Sequence, residues 1–257
     1  MMSDDTKRAA IKKRVGLLDE LRGLSILLMV VYHAFFDLVY IFGVKIPAFH
    51  SPLLAFLQPF FAGIFIFISG AACRYSKSNL KRGALCFGLG LAFTVITALF
   101  MPSELILFGI LHFLGVAMML FALLHRVLDK LPPWLGLPLC VLLFSLTYRV
   151  SQGYLGLAGF SLSLPGAWYQ TPVLFFLGLP EPGFFSADYF PLLPWLFLFF
   201  AGAYFGASLK ENRLPPWFYR SHIPPLAFIG RHTLLVYVLH QPVVYGVLYV
   251  IFFFIRR

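Results

Sequence analysis

Three residues in the first apolar stretch could do chemistry together: Arg22, His33 and Asp37. In a helix turning 100° per residue, Arg22 and His33 differ in direction by about 20°, and Asp37 lies about 40° further round. They therefore share one stripe. Histidine takes up and returns a proton near neutrality, which suits a general base. A carboxylate at i+4 would favour the imidazolium and fix the ring's orientation. Arg22, always charged and fork-shaped, suits a phosphate or pyrophosphate. On a lipid-facing stripe such residues would cost several kcal/mol, so they must face the bundle interior or a water-filled cavity. The plainer reading is that Arg22 snorkels beside Asp19 and Glu20 while His33 and Asp37 bond each other.

Other stretches add to the stripe. Counted inward from Glu104, His112 reaches about the depth of His33, and His240-Gln241 lies mid-span in the last apolar segment. The expectation is three histidines converging on a mid-membrane layer, with His33 as base and His112 and His240 stabilising an oxyanion or relaying protons. Asp37, His50, Glu104 and Asp188 collect on the outer side. Of these, His50 sits in a short loop between Pro47 and Pro52, and Asp188 has the alternative of capping the next helix. His232, beside Arg231, belongs to a cationic rim on the inner side. His125 and His222 fall at helix ends and carry no assigned role.

The elements that must position these residues are membrane spans. Of 257 residues, 60% are hydrophobic and 12% charged, and the apolar residues come in long blocks. A span needs about 20 apolar residues. Six candidates are clear: Leu17–Phe42, Leu53–Ala72, Gly83–Met101, Leu105–His125, Pro191–Leu209 and Thr233–Ile255. Leu135–Tyr148 makes a seventh. The predicted class is an all-α polytopic transmembrane bundle of seven or eight spans. Met1–Gly16 reads as a charged cytoplasmic lead-in and the remainder as a single transmembrane domain.

With a cytoplasmic N-terminus and seven alternating spans, one face collects the basic residues around Lys7–Arg14, Arg74–Arg82, Arg126–Lys130 and Lys210–Arg220. The opposite face has Lys45, Arg149, Arg256 and Arg257. This asymmetry supports the N-terminus inside. The terminal arginines fit better if Gly159–Pro180, a stretch broken by Gly and Pro, is re-entrant or interfacial and makes an eighth crossing. The loop Val150–Asp188 is apolar enough to fold as a lid or site wall. Charge placement argues against nucleic acid. Cys73, Cys86 and Cys140 fit no metal spacing and no disulfide framework.

The string Leu18-Asp19-Glu20-Leu21-Arg22-Gly23-Leu24, followed by Met29 and His33, resembles the opening of the membrane acyltransferase superfamily. Within it, four further pieces resemble bacterial members of the heparan-alpha-glucosaminide N-acetyltransferase catalytic-domain family. They are Phe60–Gly70, Phe108-Gly109-Ile110-Leu111-His112, Asp188-Tyr189-Phe190-Pro191-Leu192-Leu193-Pro194-Trp195, and Gly230-Arg231-His232-Thr233 with Tyr237, His240, Gln241 and Pro242.

The resemblance implies an acetyl group carried from cytoplasmic acetyl-CoA to an amino sugar or related glycan across the membrane, without a metal. It also implies a histidine at the reacting centre and residence in a bacterial inner membrane. His50 is the nearest match to a histidine active in the lysosomal members and competes with His33. Arg22, Arg231 and His232 become candidates for the CoA phosphates. Glu104, Asp188, Tyr189 and Gln241 become candidates for the acceptor. Two other readings stand: an O-acetyltransferase of a surface glycan or lipid-linked sugar, and a proton-coupled carrier that a homodimer would enlarge.

Overall fold

A computed structural model describes residues 15–157 and 159–255, so most of the charged lead-in and the Arg256-Arg257 pair lie outside the described residues. Seven helices are long and apolar enough to cross a membrane. They are α1 (Gly16–Phe36, continued by a π turn, Asp37–Ile41), α2 (Pro52–Cys73), α3 (Asn79–Phe100), α4 (Ile110–Leu128), α5 (Pro133–Thr147), α6 (Leu192–Lys210) and, after the short α7 (Pro224–Arg231), α8 (Thr233–Ile255). The all-α polytopic class holds, and the spans number seven among the described residues.

Local sequence explains several starts. Pro52, Pro133 and Pro224 open α2, α5 and α7, where a missing N–H costs nothing and φ is already helical. Ser78 caps α3, its hydroxyl accepting from Lys81 N–H.

Two expectations change. The span predicted from Leu105 begins only at Ile110, because Leu105–Gly109 is extended and bonded to a distant strand of chain. Ala187 N–H donates to Leu105 O and Phe190 N–H to Phe108 O. Gly159–Pro180 supplies no eighth crossing helix. It holds the second strand of a hairpin, β1 (Tyr154–Leu157) against β2 (Phe160–Ser163), followed by two 3-10 turns. Tyr169 and Tyr189 pin this loop through their hydroxyls, donating to Val150 O at 2.5 Å and Phe175 O at 2.6 Å. Burial pushes both phenols above their ordinary range, which keeps the protons those bonds require.

The chain divides into two compact units. One runs up to Phe65 and resumes at Leu214; the other is Ile66–Arg213. In the second unit α4 and α6 supply much of the buried interior, including Phe113, Ala117, Phe199, Ala201 and Ala203. Here α2 and α6 approach through glycine. A Cβ on Gly70 would stand 1.9 Å from Phe199 O, and one on Gly202 would stand 1.9 Å from Phe67 O. Lipid offers no hydrophobic incentive for helices to associate, so close backbone packing through small residues takes that role.

We expect Gly70→Ala to separate these backbones at a cost of about 1–3 kcal/mol, read as a lower melting temperature in detergent. Gly88→Ala in α3, where an added methyl meets nothing within 4 Å, should leave the transition unchanged.

Candidate functional site

In the first unit, α7 lies against the opening turns of α1. A Cβ on Gly23 would fall 2.0 Å from Leu226 O, and one on Gly230 would fall 1.7 Å from Asp19 O. Both glycines are therefore obligatory at this crossing. Glu20 completes it. This carboxylate is 4% exposed and accepts from Ser221 Oγ at 2.6 Å, Ile223 N–H at 2.6 Å and His222 N–H. Three donors compensate the burial of one charge and cap the start of α7. Glu20 and Asp19 thus do different work, because Asp19 turns to Arg22 and pairs with it at 3.7 Å. Arg22 is half-buried; Arg231 and His232 are exposed, the first over the Phe228 ring and the second bonded to Phe228 O through Nδ1.

This packing sets the level at which α8 runs beside α1. Along α8, His240 alone is buried, while the apolar residues around it, such as Leu239 and Val243, are exposed. In the π turn of α1, Asp37 alone is buried, at 0% exposure. A lipid-facing surface inverts the usual order: apolar side chains point out and polar ones are enclosed.

The enclosed groups pair across the two helices. His33 and His240 stand with ring centroids 5.0 Å apart, and Gln241 Nε2 donates to both Asp37 oxygens, at 2.8 and 3.1 Å. The expected His33–Asp37 bond is not made. The α-helix gives way to a π turn at Asp37, with Phe42 N–H bonded to Asp37 O. The backbone between His33 and Asp37 keeps the α spacing, with Asp37 N–H bonded to His33 O, so the side chains part because the Asp37 carboxylate takes the Gln241 amide. Asp37 reaches the histidine layer through α8 instead.

His240 has a defined donor side. Nδ1 lies 2.5 Å from Tyr237 O, and a carbonyl only accepts, so Nδ1 carries the hydrogen and the lone pair of the neutral ring is on Nε2. That Nε2 is buried without a partner, as is Gln241 Oε1. Buried polar atoms of this kind are rare and point to strain, function or an unseen ligand. His50 sits above this layer in an exposed turn. Its neighbour Phe49 is buried against Tyr32 and Tyr40, at 5.4 and 5.9 Å between ring centroids, which holds the turn on α1.

The second unit holds His112, the third residue of α4, which begins at Ile110; the ring is buried. The depth counted from Glu104 assumed helix where the chain is extended. Thr94 Oγ1 donates to Ile106 O at 2.6 Å and so is left to accept from His112 Nε2 at 3.3 Å. The ring fills the space opposite Gly90, where a Cβ would meet it at 2.9 Å. His112 therefore ties α3 to α4. Asp188 accepts from Ile110 N–H at 2.9 Å and caps α4, not the helix that follows it in sequence. Gly109 leaves room for that carboxylate, 2.3 Å from where a Cβ would be. Tyr189 is committed to Phe175 O, and Glu104 is half-buried in a 3-10 turn before α4.

A family model described as heparan-alpha-glucosaminide N-acetyltransferase, catalytic, matches residues 14–242. The chain belongs to that family. It is a multi-pass membrane protein of an acetyltransferase family, and the matched stretch ends one residue past Gln241. No curated protein and no solved structure matches it. Several family-like residues named from sequence serve the fold of this N-acetyltransferase-family chain: Gly23 and Gly230 make one crossing, Gly70 another, and Asp188 a cap.

Sequence reasoning missed the Glu20–Ser221 cap and the Gln241–Asp37 pair, whose partners are 201 and 204 residues apart. The available signal was that acidic residues at apolar depth need a donor somewhere.

Glu20→Ala should strand three donors and lower stability by about 1–3 kcal/mol for each one left unsatisfied, with Glu20→Gln less harmful because its amide oxygen still accepts. Thermal unfolding in detergent checks the order. At the pair, Asp37→Asn should be tolerated better than Asp37→Leu, which leaves the Gln241 amide buried without an acceptor.

Proposed function

We propose that this chain moves the acetyl group of acetyl-CoA to the amino group of an amino sugar or related glycan on the opposite side of the membrane. The observation that carries the reading is the unpartnered Nε2 of His240, the one buried residue of α8, whose ring stands beside that of His33. Such an atom is a base without a proton donor, which a substrate N–H would supply.

In the proposed reaction the CoA phosphates lie near Arg22 and Arg231, at the end of the unit where α7 packs on α1. The thioester reaches the His33–His240 pair. His240 Nε2 takes a proton from the acceptor amine as its nitrogen attacks the thioester carbonyl carbon. The C–N bond forms and the C–S bond breaks. The sulfur leaves as thiolate and recovers the proton from the imidazolium, directly or through His33. Gln241 and Asp37 position the layer by tying α8 to α1. An acetyl-histidine intermediate on His33 is the two-step form of the same transfer. His50, in the exposed turn after α1, would meet the acceptor.

Purified protein incubated with radiolabelled acetyl-CoA and a panel of amino sugars should yield an acetylated product. His240→Gln and His33→Gln should each lower its rate about 10²–10⁴-fold. Full transfer by both variants, with loss in His50→Ala, would move the reacting centre to the outer turn. Absence of any CoA-dependent product, together with proton flux in vesicles, would assign the chain to the carrier class.

A further inference from the structure

A cavity of about 480 Å³ lies within the second unit, where α2, α4 and α6 end and α5 begins. Its lining includes Arg74, Asp129, Pro132, Pro133, Tyr204 and Lys210. None of these has a part in the proposed acetyl transfer.

The polar groups of the lining are unequally committed. The Tyr204 hydroxyl donates to Leu128 O at 2.9 Å. Asp129 accepts from Arg74 Nη1. The carboxylate of Glu211, also in the lining, accepts from Arg213 Nε at 2.7 Å. Each acid therefore has its own arginine. Arg74 donates through Nε to Ala203 O at 2.9 Å, and its guanidinium stands 5.0 Å over the Phe121 ring centroid. Its side chain is 12% exposed. Those contacts employ Nε and Nη1 and leave the Nη2 donors uncommitted on a fork that cannot swing away. Lys210, the exposed last residue of α6, adds a second cation. With Asp129 and Glu211 each held by an arginine, the groups of the lining that can still receive an anion are the Arg74 Nη2 donors and the Lys210 ammonium, which suit one with several acceptor oxygens.

The surroundings narrow the anion further. Leu131, Pro132 and Pro133 form an apolar wall, and Trp134 beside them is 73% exposed. Tryptophan next to helix ends marks the boundary between headgroups and hydrocarbon. A phosphate with an apolar body attached meets both surfaces at once.

We propose that this cavity binds the phosphate of a phosphate ester at the membrane surface, held by Arg74 Nη2 and Lys210. A phospholipid headgroup brings that chemistry from the bilayer, and CoA brings it from water. The site does not depend on the acetyl-transfer reading.

The test is saturable thermal stabilisation of the purified full chain in uncharged detergent, wild type beside Lys210→Glu and Lys210→Gln. The ligands are dihexanoyl phosphatidylglycerol, dihexanoylglycerol as its phosphate-free counterpart, and CoA. The expected result is stabilisation by the phospholipid and not by the diacylglycerol, with apparent affinity about fivefold weaker in the Lys210 variants. The same Lys210 dependence with CoA alone would keep the site and name the co-substrate as the source of its phosphate. If neither phosphate ester stabilises the protein, or stabilisation is the same in wild type and both variants, the proposal is wrong. Lys210 is exposed, so the variants retain the fold, and Arg74, which braces α6, is left intact.

Discussion

A polar group enclosed among membrane helices has no water to turn to, and this chain is arranged around that constraint. Glu20 collects three donors from the segment entering α7. Asp37 takes the Gln241 amide from α8. Thr94 links His112 to the carbonyl of Ile106. Each bond joins two elements, so satisfying a polar atom and fixing a helix are the same event. Against this background the bare Nε2 of His240 stands out, as do Gln241 Oε1 and, in the second unit, Nδ1 of His112.

Backbone proximity makes those bonds reachable. Gly23 and Gly230 let α7 press on α1 closely enough for Glu20 to meet the N–H groups of residues 222 and 223. The crossing brings the start of α8 beside α1, and from there His240 runs up to His33 and Gln241 to Asp37. The first unit thus builds its polar layer from the two ends of the chain. In the second unit, the same device lets α2 and α6 touch through Gly70 and Gly202, and Gly90 makes room for the His112 ring. Motif glycines that carried only resemblance in sequence, and Asp188, which read there as a candidate for the acceptor, are the means of holding helices in place.

Much of the fold was legible because hydropathy is a local property. An apolar run either is or is not long enough to cross hydrocarbon, and the seven spans emerged within a few residues of their structural bounds. Boundaries failed where a tertiary bond competed with helix. Leu105–Gly109 is as apolar as the helix after it, yet its backbone pairs with residues 187–190, and this puts His112 in the first turn of α4. The eighth crossing failed for a related reason, since Gly159–Pro180 meets its backbone needs in a hairpin strand and turns.

By itself the sequence determined a membrane protein of seven or eight spans with costly residues at positions 22, 33, 37, 112 and 240, because hydropathy and the cost of placing a charged or polar side chain in lipid follow from residue type and position along a span. Tertiary structure decided who answers each of them. Asp37 took the Gln241 amide and not His33, Asp188 capped a helix 78 residues before it, and Glu20 found Ser221. Hydrogen bonds act over about 3 Å, and no local pattern specifies which of two hundred intervening residues will come within that distance.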